Sequence, residues 1–122
     1  MKLLTHNMLE CRIKGIQNRY PFWIDASKVE TVEQDFDPDF LRHMYPRLEW
    51  PALKAAADSL GVADLPTAVS QDMLEDEDFL KVFHHALLEV VLIEGFLVCP
   101  ESGRKFPVSK GIPNLLLNED EA

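Results

Sequence analysis

The sequence predicts an α+β fold, with helices in the middle of the chain and β-strands at its two flanks. Apolar residues in the middle recur at helical spacing between helix start and stop signals. The flanks carry aromatic and β-branched runs that are separated by turn residues. The chain has 122 residues, of which 47% are apolar and 27% are charged. We therefore expect one globular body and exclude a disordered, collagenous or coiled-coil chain.

Two short helices are predicted in the first half of the middle region. Asp37 is placed to cap the first helix, Pro38 suits its first position, and Pro46 should end or bend it. The Trp-Pro pair at residues 50–51 opens the second helix in the same way, and Gly61 stops it. Both helices should bury one apolar face.

The third helix has the clearest pattern. Its apolar residues follow the i, i+3, i+4, i+7 spacing and are Phe79, Val82, Phe83, Ala86, Leu87, Val90 and Val91. Four acids at residues 75–78 precede it, and we interpret them as helix capping rather than as a metal site or an interaction patch. His84 and His85 point about 100° apart on this helix. One should lie at the edge of the core and the other in solvent.

The flanks are predicted to form strands. The first covers residues 20–24, and a hairpin joins residues 96–99 to residues 105–108 through a turn at residues 100–103. A last strand, residues 112–117, ends in three consecutive leucines. Successive strand side chains face opposite sides, so the leucines cannot share one core, and one face should meet another molecule. A strand buried on both sides and a final helical turn are the alternatives.

Charge is distributed unevenly along the chain. The net charge of −9 argues against a protein that coats nucleic acid with its whole surface. Residues 1–24 and 95–118 together carry seven basic and two acidic side chains, a balance of +5, whereas residues 25–94 carry five basic and sixteen acidic ones, a balance of −11. If the chain ends meet, a basic lobe faces an acidic lobe. Ordinary solvated surface on both is the simpler interpretation.

The sequence contains no self-sufficient active site. It lacks a Gly-rich phosphate loop, a G-x-S-x-G elbow and an H-E-x-x-H motif. Asp35, Asp37 and Asp39 have the spacing of the first ligands of a calcium loop, but Phe40 and Pro46 stand where that loop needs Gly and Glu. We therefore predict that the protein is not an enzyme.

The one zinc-binding motif is incomplete. Residues 99–103, Cys-Pro-Glu-Ser-Gly, have the shape of a zinc knuckle in which Ser102 replaces the second cysteine. Upstream there is only Cys11, and Ile16 stands five residues later where its partner could have been. Cys11 and Cys99 cannot complete a tetrahedral zinc site. We expect a zinc-ribbon-like fold whose hairpin is held by packing, with no bound zinc.

The sequence favours a reducing compartment. No apolar run approaches the ~20 residues that span a bilayer, and the first residues lack the apolar region and cleavage site of a signal peptide. Two cysteines are too few for a disulfide framework and should remain thiols. We expect the protein in the cytoplasm and nucleus.

Three segments carry a specific resemblance to a known family. They read Met-Lys-Leu-Leu-Thr-His-Asn at residues 1–7, Glu-Gly followed by Cys-Pro-Glu-Ser-Gly-Arg-Lys-Phe-Pro within residues 94–107, and Gly-Ile-Pro-Asn-Leu-Leu-Leu at residues 111–117. The chain resembles, over essentially its whole length, the multifunctional methyltransferase subunit family. These are small activating partners that several class I S-adenosylmethionine (SAM)-dependent methyltransferases of eukaryotes and archaea share.

The resemblance implies a two-part fold and a role without catalysis. Residues 1–34 plus 90–122 would form the zinc-ribbon-like β domain, and residues 35–89 the inserted helical domain. The resemblance further implies mutually exclusive heterodimers with methyltransferases that act on tRNA, on 18S rRNA and on the Gly-Gly-Gln glutamine of the class 1 translation release factor. The partner would bind SAM. Zinc-binding members have cysteines at the positions of residues 11, 16, 99 and 102, so Ile16 and Ser102 argue against bound zinc here.

We hypothesise that the last predicted strand binds the partner by pairing with an exposed sheet edge. The expected partner-binding residues are Met1, Leu3, Leu4, Ile112, Pro113, Asn114, Leu115, Leu116 and Leu117. A stand-alone RNA- or ribosome-binding module is the alternative, in which the basic lobe touches RNA through Arg104, Lys105 and Lys110.

Overall fold

The fold is α+β, as the sequence predicts, with one four-stranded antiparallel sheet and four helices. The computed structural model describes all residues from 1 to 122. The strands lie in the order β1-β2-β3-β4. The elements in chain order are α1 (Leu3–Met8), β1 (Trp23–Thr31), α2 (Pro38–Met44), a 3-10 turn (Tyr45–Arg47), α3 (Trp50–Ser59), a 3-10 turn (Gln71–Glu75), α4 (Glu77–His84), a π-helical turn (His85–Glu89), β2 (Val90–Val98), β3 (Lys105–Ser109) and β4 (Ile112–Pro113).

The predicted helix signals act as expected. The Asp37 carboxylate accepts a hydrogen bond from the Phe40 backbone N–H at 3.1 Å and so caps α2. Pro46 falls in the 3-10 turn that ends this helix. Asp76, one of the four acids at residues 75–78, caps α4 by accepting from the Asp78 N–H at 3.0 Å. None of the helices is long and apolar enough to cross a membrane.

Helix α4, the third helix predicted from the sequence, is shorter than its apolar pattern predicts. It ends in the π-helical turn at Glu89, and Val90 and Val91 open strand β2 instead. Val90 pairs with Thr31 of β1. An apolar residue three positions after Leu87 fits a continuing helix and a buried strand equally well, and β-branched valines favour the strand.

The other strand boundaries also differ from the sequence expectation. The first strand begins at Trp23 rather than at residue 20 and runs on through Thr31. The hairpin of β2 and β3 is confirmed, with Val98 opposite Lys105. The last strand is wrong in length, because the β3–β4 ladder contains only Ile112 and Pro113 on this side and the residues that follow belong to no strand.

Two apolar clusters form the interior. The helical cluster is built by α2, α3 and α4, and the rings of Tyr45, Trp50 and Phe83 pack against one another edge to face within it. The β cluster lies under the sheet and is made of Met1, Cys11, Ile13, Phe22, Leu92, Leu97, Cys99, Phe106 and Val108. Residues from both chain ends therefore share one core.

The N-terminal segment joins the two clusters. The Met1 nitrogen donates to the Leu92 carbonyl at 2.6 Å, the Leu92 N–H donates to the Met1 carbonyl at 2.9 Å, and Lys2 bridges to Val91. Helix α1, which we did not predict, follows directly and places Leu3 in the helical cluster.

Two buried polar residues of α1 anchor it on both sides. The Asn7 side chain donates to the Glu49 carbonyl and accepts from the Glu49 N–H, both at 3.0 Å. The His6 Nε2 atom lies 2.9 Å from the Phe22 carbonyl, so neutral His6 donates this hydrogen bond. Its Nδ1 atom is buried without a partner. Burial lowers the pKa of His6 and outweighs the opposing effect of the Phe22 carbonyl.

We predict that the protein loses stability in mild acid through His6. The unfolded chain binds a proton at about pH 6.5, whereas the folded chain, with its lowered His6 pKa, does not until lower pH. The free energy of unfolding should therefore fall as the pH drops below about 6.5, with a limiting slope of about 1.4 kcal/mol per pH unit from this group. Urea unfolding of the parent and the His6→Gln variant between pH 7.5 and 5 measures it. Equal slopes for the two proteins would show that His6 does not titrate differently on folding.

Candidate partner-binding surface

The sheet has two free edges, and the edge formed by β1 is poorly suited to pair with another strand. The β1–β2 register shifts between Ala26 and Lys28 and again between Lys28 and Val29. Lys28 and Glu30 lie on this edge and form an exposed ion pair at 3.3 Å. Bulges and charges are the features by which proteins protect an edge strand from pairing.

The other edge has neither a bulge nor a charged side chain. It consists of β4 and its continuation, which together we call the edge segment (residues 112–117). Ile112 and Leu116 are the most exposed large apolar side chains of the protein, at 69% and 79%. Leu115 and Leu117 point the other way and pack against the β cluster. The alternation expected of a strand thus persists beyond the paired residues, and the outward side chains are uncovered.

The backbone of the edge segment has unused hydrogen-bonding groups. The Asn114 N–H donates to the Pro107 carbonyl at 2.9 Å, and the Leu116 N–H donates to the Asn114 side chain at 3.1 Å. The N–H groups of Leu115 and Leu117 donate to no group of the chain. A segment at a sheet edge with free N–H groups and an apolar outer face is a template for an added strand.

The outer face of the sheet extends the exposed apolar surface. Trp23 is 60% exposed and Phe96 is 37% exposed. Lys105 pairs with Val98 on this face, and its ammonium lies 5.6 Å from the centre of the Phe96 ring and 4.0 Å from the Asp25 carboxylate. The sequence analysis missed both aromatic residues. Side chains alternate between the two faces of a strand, so a sheet that is buried on one face only predicts that Trp23 and Phe96 point outward.

The N-terminal residues that we expected at the partner surface are largely buried. Met1 is 5% exposed in the β cluster and Leu3 is fully buried in the helical cluster. Leu4 is half-buried and packs against the helical cluster. Because α1 packs against α3 and the π-helical turn, these side chains stabilise the fold, and only the edge segment presents the expected residues outward.

Two of the three basic residues of the alternative RNA-binding hypothesis are exposed, and the third is engaged within the chain. The Arg104 Nε atom donates to the Glu121 carboxylate at 2.7 Å, and its guanidinium lies 4.6 Å from the centre of the Phe106 ring. Lys105 and Lys110 are exposed. The basic lobe therefore meets part of the acidic tail of its own chain.

The residues of the incomplete knuckle do not fit a zinc ion. Cys11 and Cys99 are buried together, but Ile16 packs against the β cluster as an apolar residue and Ser102 provides a hydroxyl. No group of three or more His, Cys, Asp or Glu side chains is arranged to hold a metal. Two sulfurs without further ligands fall short of the four that structural zinc requires.

The histidine pair has the predicted division of environments. His84 is buried, and its Nε2 atom lies 3.0 Å from the Gln34 carbonyl, whereas His85 is partly exposed, with its Nδ1 atom 3.0 Å from the Glu89 carboxylate. Burial raises the pKa of Glu89, but hydrogen bonds from the Gln34 N–H and from His85, together with the nearby imidazole rings of His84 and His85, lower it overall. These contacts fasten the π-helical turn to the segment after β1.

Comparison with known proteins gives consistent matches. Residues 2–111 match the family described as "Trm112p-like protein". The chain is 57% identical to the multifunctional methyltransferase subunit TRM112 homolog A of Arabidopsis thaliana, over 99% of both chains, and 48% identical to the TRM112-like subunit of Mus musculus, over 99% of this chain and 98% of the relative. Among solved structures, a chain of the E. cuniculi Mtq2–Trm112 complex, which is described as responsible for methylation of the eRF1 translation termination factor, matches with a TM-score of 0.61 at 20% identity and 95% coverage of each chain.

We predict that replacing Leu117 by aspartate lowers the free energy of unfolding more than replacing its neighbour Leu116 does. The Leu116→Asp variant should unfold within about 0.5 kcal/mol of the parent, because this side chain is already in water. The Leu117→Asp variant should lose more than about 1 kcal/mol, because it places a carboxylate against the β cluster. Urea unfolding followed by circular dichroism measures both. Equal losses would contradict the alternation of faces.

Proposed function

Because this chain belongs to the Trm112p-like family, we propose that it is a non-catalytic subunit that binds and activates class I SAM-dependent methyltransferases. Its relatives are named multifunctional methyltransferase subunits, and the matching solved chain comes from a complex with Mtq2. The protein would provide no catalytic group and bind no SAM, both of which the partner would supply. The proposed site of action is the cytoplasm and nucleus.

The proposed partners act on three kinds of substrate. They are methyltransferases for tRNA, for 18S rRNA and for the Gly-Gly-Gln glutamine of the class 1 release factor. The family resemblance and the description of the Mtq2 complex support this range. We propose that these partners use the same surface and so bind one at a time.

The edge segment is the observation that carries the proposal. Its free N–H groups at Leu115 and Leu117 and its exposed Ile112 and Leu116 side chains match the two needs of strand addition. A partner strand would accept the backbone hydrogen bonds, while its apolar flank would cover the outward side chains. The exposed aromatic residues of the outer sheet face would extend the contact.

Activation would follow from stabilisation of the partner. A methyltransferase with an uncovered sheet edge is prone to aggregate, and pairing satisfies that edge. A subunit that binds only the folded partner stabilises it by about 4 kcal/mol at a free concentration of about 1,000 times Kd. Ordered partner loops would then bind SAM more tightly, because binding no longer has to order them.

We propose that the β domain is zinc-ribbon-like in its hairpin and knuckle but holds no metal. The knuckle backbone bond from the Gly103 N–H to the Cys99 carbonyl, at 3.1 Å, is present without the metal ligands. Packing of Phe106 against Phe22, with ring centroids 5.7 Å apart, joins the hairpin to the N-terminal segment. This packing would replace the cross-link that zinc provides.

We predict that the Leu116→Asp variant loses its methyltransferase partners. A carboxylate at residue 116 of the edge segment would have to be desolvated in the complex. Binding to the methyltransferase should therefore weaken by 100-fold or more, which corresponds to about 2.7 kcal/mol. The parent and the variant, each tagged, are used to capture partners from native cells, and bound proteins are identified by mass spectrometry. Affinities for one recovered methyltransferase are then measured by calorimetry.

Val29→Asp is the matched control, because Val29 is an exposed apolar residue on the opposite edge. It should bind methyltransferases like the parent. Loss of binding by Val29→Asp alone would assign the interface to β1 and refute our placement. Recovery of RNA or ribosomal proteins alone, unaffected by Leu116→Asp and removed by salt, would favour the RNA-binding module instead.

A further inference from the structure

The two cysteines of the chain lie side by side in the β cluster. Cys11 is 1% exposed and Cys99 is 2% exposed. Burial raises the pKa of the Cys11 thiol, and the neighbouring Cys99 thiol raises it further, so the two sulfurs are close enough to affect each other. The sequence has no third cysteine, and the surrounding residues do not fit a metal that would hold both sulfurs. The two thiols are therefore the reduced form of a dithiol–disulfide pair.

Backbone hydrogen bonds anchor each cysteine. The Cys11 N–H donates to the Arg19 carbonyl at 2.8 Å, and the Arg19 guanidinium donates to the Cys11 carbonyl at 2.9 Å. The Cys99 N–H donates to the Arg104 carbonyl at 2.9 Å. Both backbones are held in place while the sulfurs are still thiols. Joining the sulfurs would therefore reinforce an existing contact between the N-terminal segment and the hairpin.

The knuckle turn makes the two sulfurs chemically different. The Ser102 N–H lies 3.4 Å from the Cys99 sulfur and donates to it. Burial raises the pKa of the Cys99 thiol, but hydrogen bonds from Ser102, Cys11 and Glu101 lower it overall. Burial raises the pKa of the Cys11 thiol. The Ser102 N–H that donates to the Cys99 sulfur stabilises a thiolate at this position, and local opening of the surface turn at residues 100–103 would expose that thiolate to a small oxidant.

We propose that Cys11 and Cys99 form an oxidation site at which a low-molecular-weight disulfide converts the two thiols into an intramolecular disulfide. The Cys99 thiolate attacks one sulfur of the small disulfide, forms a mixed disulfide and releases one small thiolate. The Cys11 sulfur then attacks the Cys99 sulfur, breaks the mixed disulfide and releases the second small thiolate, and its proton passes to a released thiolate. The protein loses two electrons, and the small disulfide gains them.

The consequence is a covalent tie between the two ends of the chain. The new bond would close a loop from residue 11 to residue 99, which contains helices α2, α3 and α4. Closing a long loop restricts the unfolded chain and stabilises the fold. Leu115 and Leu117 pack against the same cluster, so the β cluster that supports the edge segment would become more rigid. This inference does not depend on the proposed function.

The test uses the full chain in native buffer with excess oxidised glutathione. After acid quenching and alkylation, intact mass spectrometry should show a monomer that has lost two hydrogen atoms and takes up no alkyl group. The Tm should rise by several degrees and return to its starting value on addition of dithiothreitol. Two glutathione adducts, a disulfide-linked dimer, or two alkylated thiols under conditions that oxidise the urea-unfolded chain would each overturn the proposal.

Single variants test the order of the two steps. Cys11→Ser should stop at the mixed disulfide, with one glutathione on Cys99, and Cys99→Ser should react at least several-fold more slowly. The Ser102→Ala variant keeps the backbone N–H but removes the exposed hydroxyl that also lowers the pKa of Cys99, so it should slow the first step while leaving the final cross-link intact. Faster reaction at Cys11 than at Cys99 would refute the assigned roles. The parent's own mass and Tm decide the main claim even if a serine variant fails to fold.

Discussion

The pairing of the first two residues with the middle of β2 is the contact on which the rest of the architecture depends. Strand β3 pairs with β2 only from Gly95 onward, so the first half of β2 has a side that no other strand covers. Met1 exchanges two backbone hydrogen bonds with Leu92 on that side. Without this pairing, buried backbone groups of β2 would lack partners, which costs free energy comparable to lost hydrogen bonds.

The same contact positions the proposed interface. The Gly111 N–H donates to the Ile93 carbonyl at 2.9 Å, beside the Met1 pairing. Gly111 has a φ of 77°, and a Cβ at this position would lie 3.2 Å from the Met1 nitrogen, so both the backbone conformation and the space favour glycine. The turn at Gly111 directs the chain into the edge segment. The N-terminus thus helps to set the direction of the strand that would meet a methyltransferase.

The turn at residues 99–103 is closed by a backbone hydrogen bond from the Gly103 N–H to the Cys99 carbonyl, and no group of metal ligands lies around it. Ile16 has an alkyl side chain and Ser102 a hydroxyl. Aromatic packing and N-terminal strand pairing join the chain ends. A buried pair of thiols is left at the centre of this junction, and it provides a second way of tying the chain ends together.

Sequence alone determined the features that depend on neighbouring residues. Capping by Asp37 and Asp76, the β2–β3 hairpin and the alternation of the terminal leucines all follow from side-chain chemistry within a few positions. Helix α1 was missed, because six residues show no clear period, and the exposed second half of β1 was missed, because it has no buried face. Only the tertiary structure decided that Leu3 is core, that Leu116 faces outward and that Cys11 and Cys99 share one buried cluster. These outcomes depend on contacts between segments far apart in the chain, and no local pattern records which segments will meet.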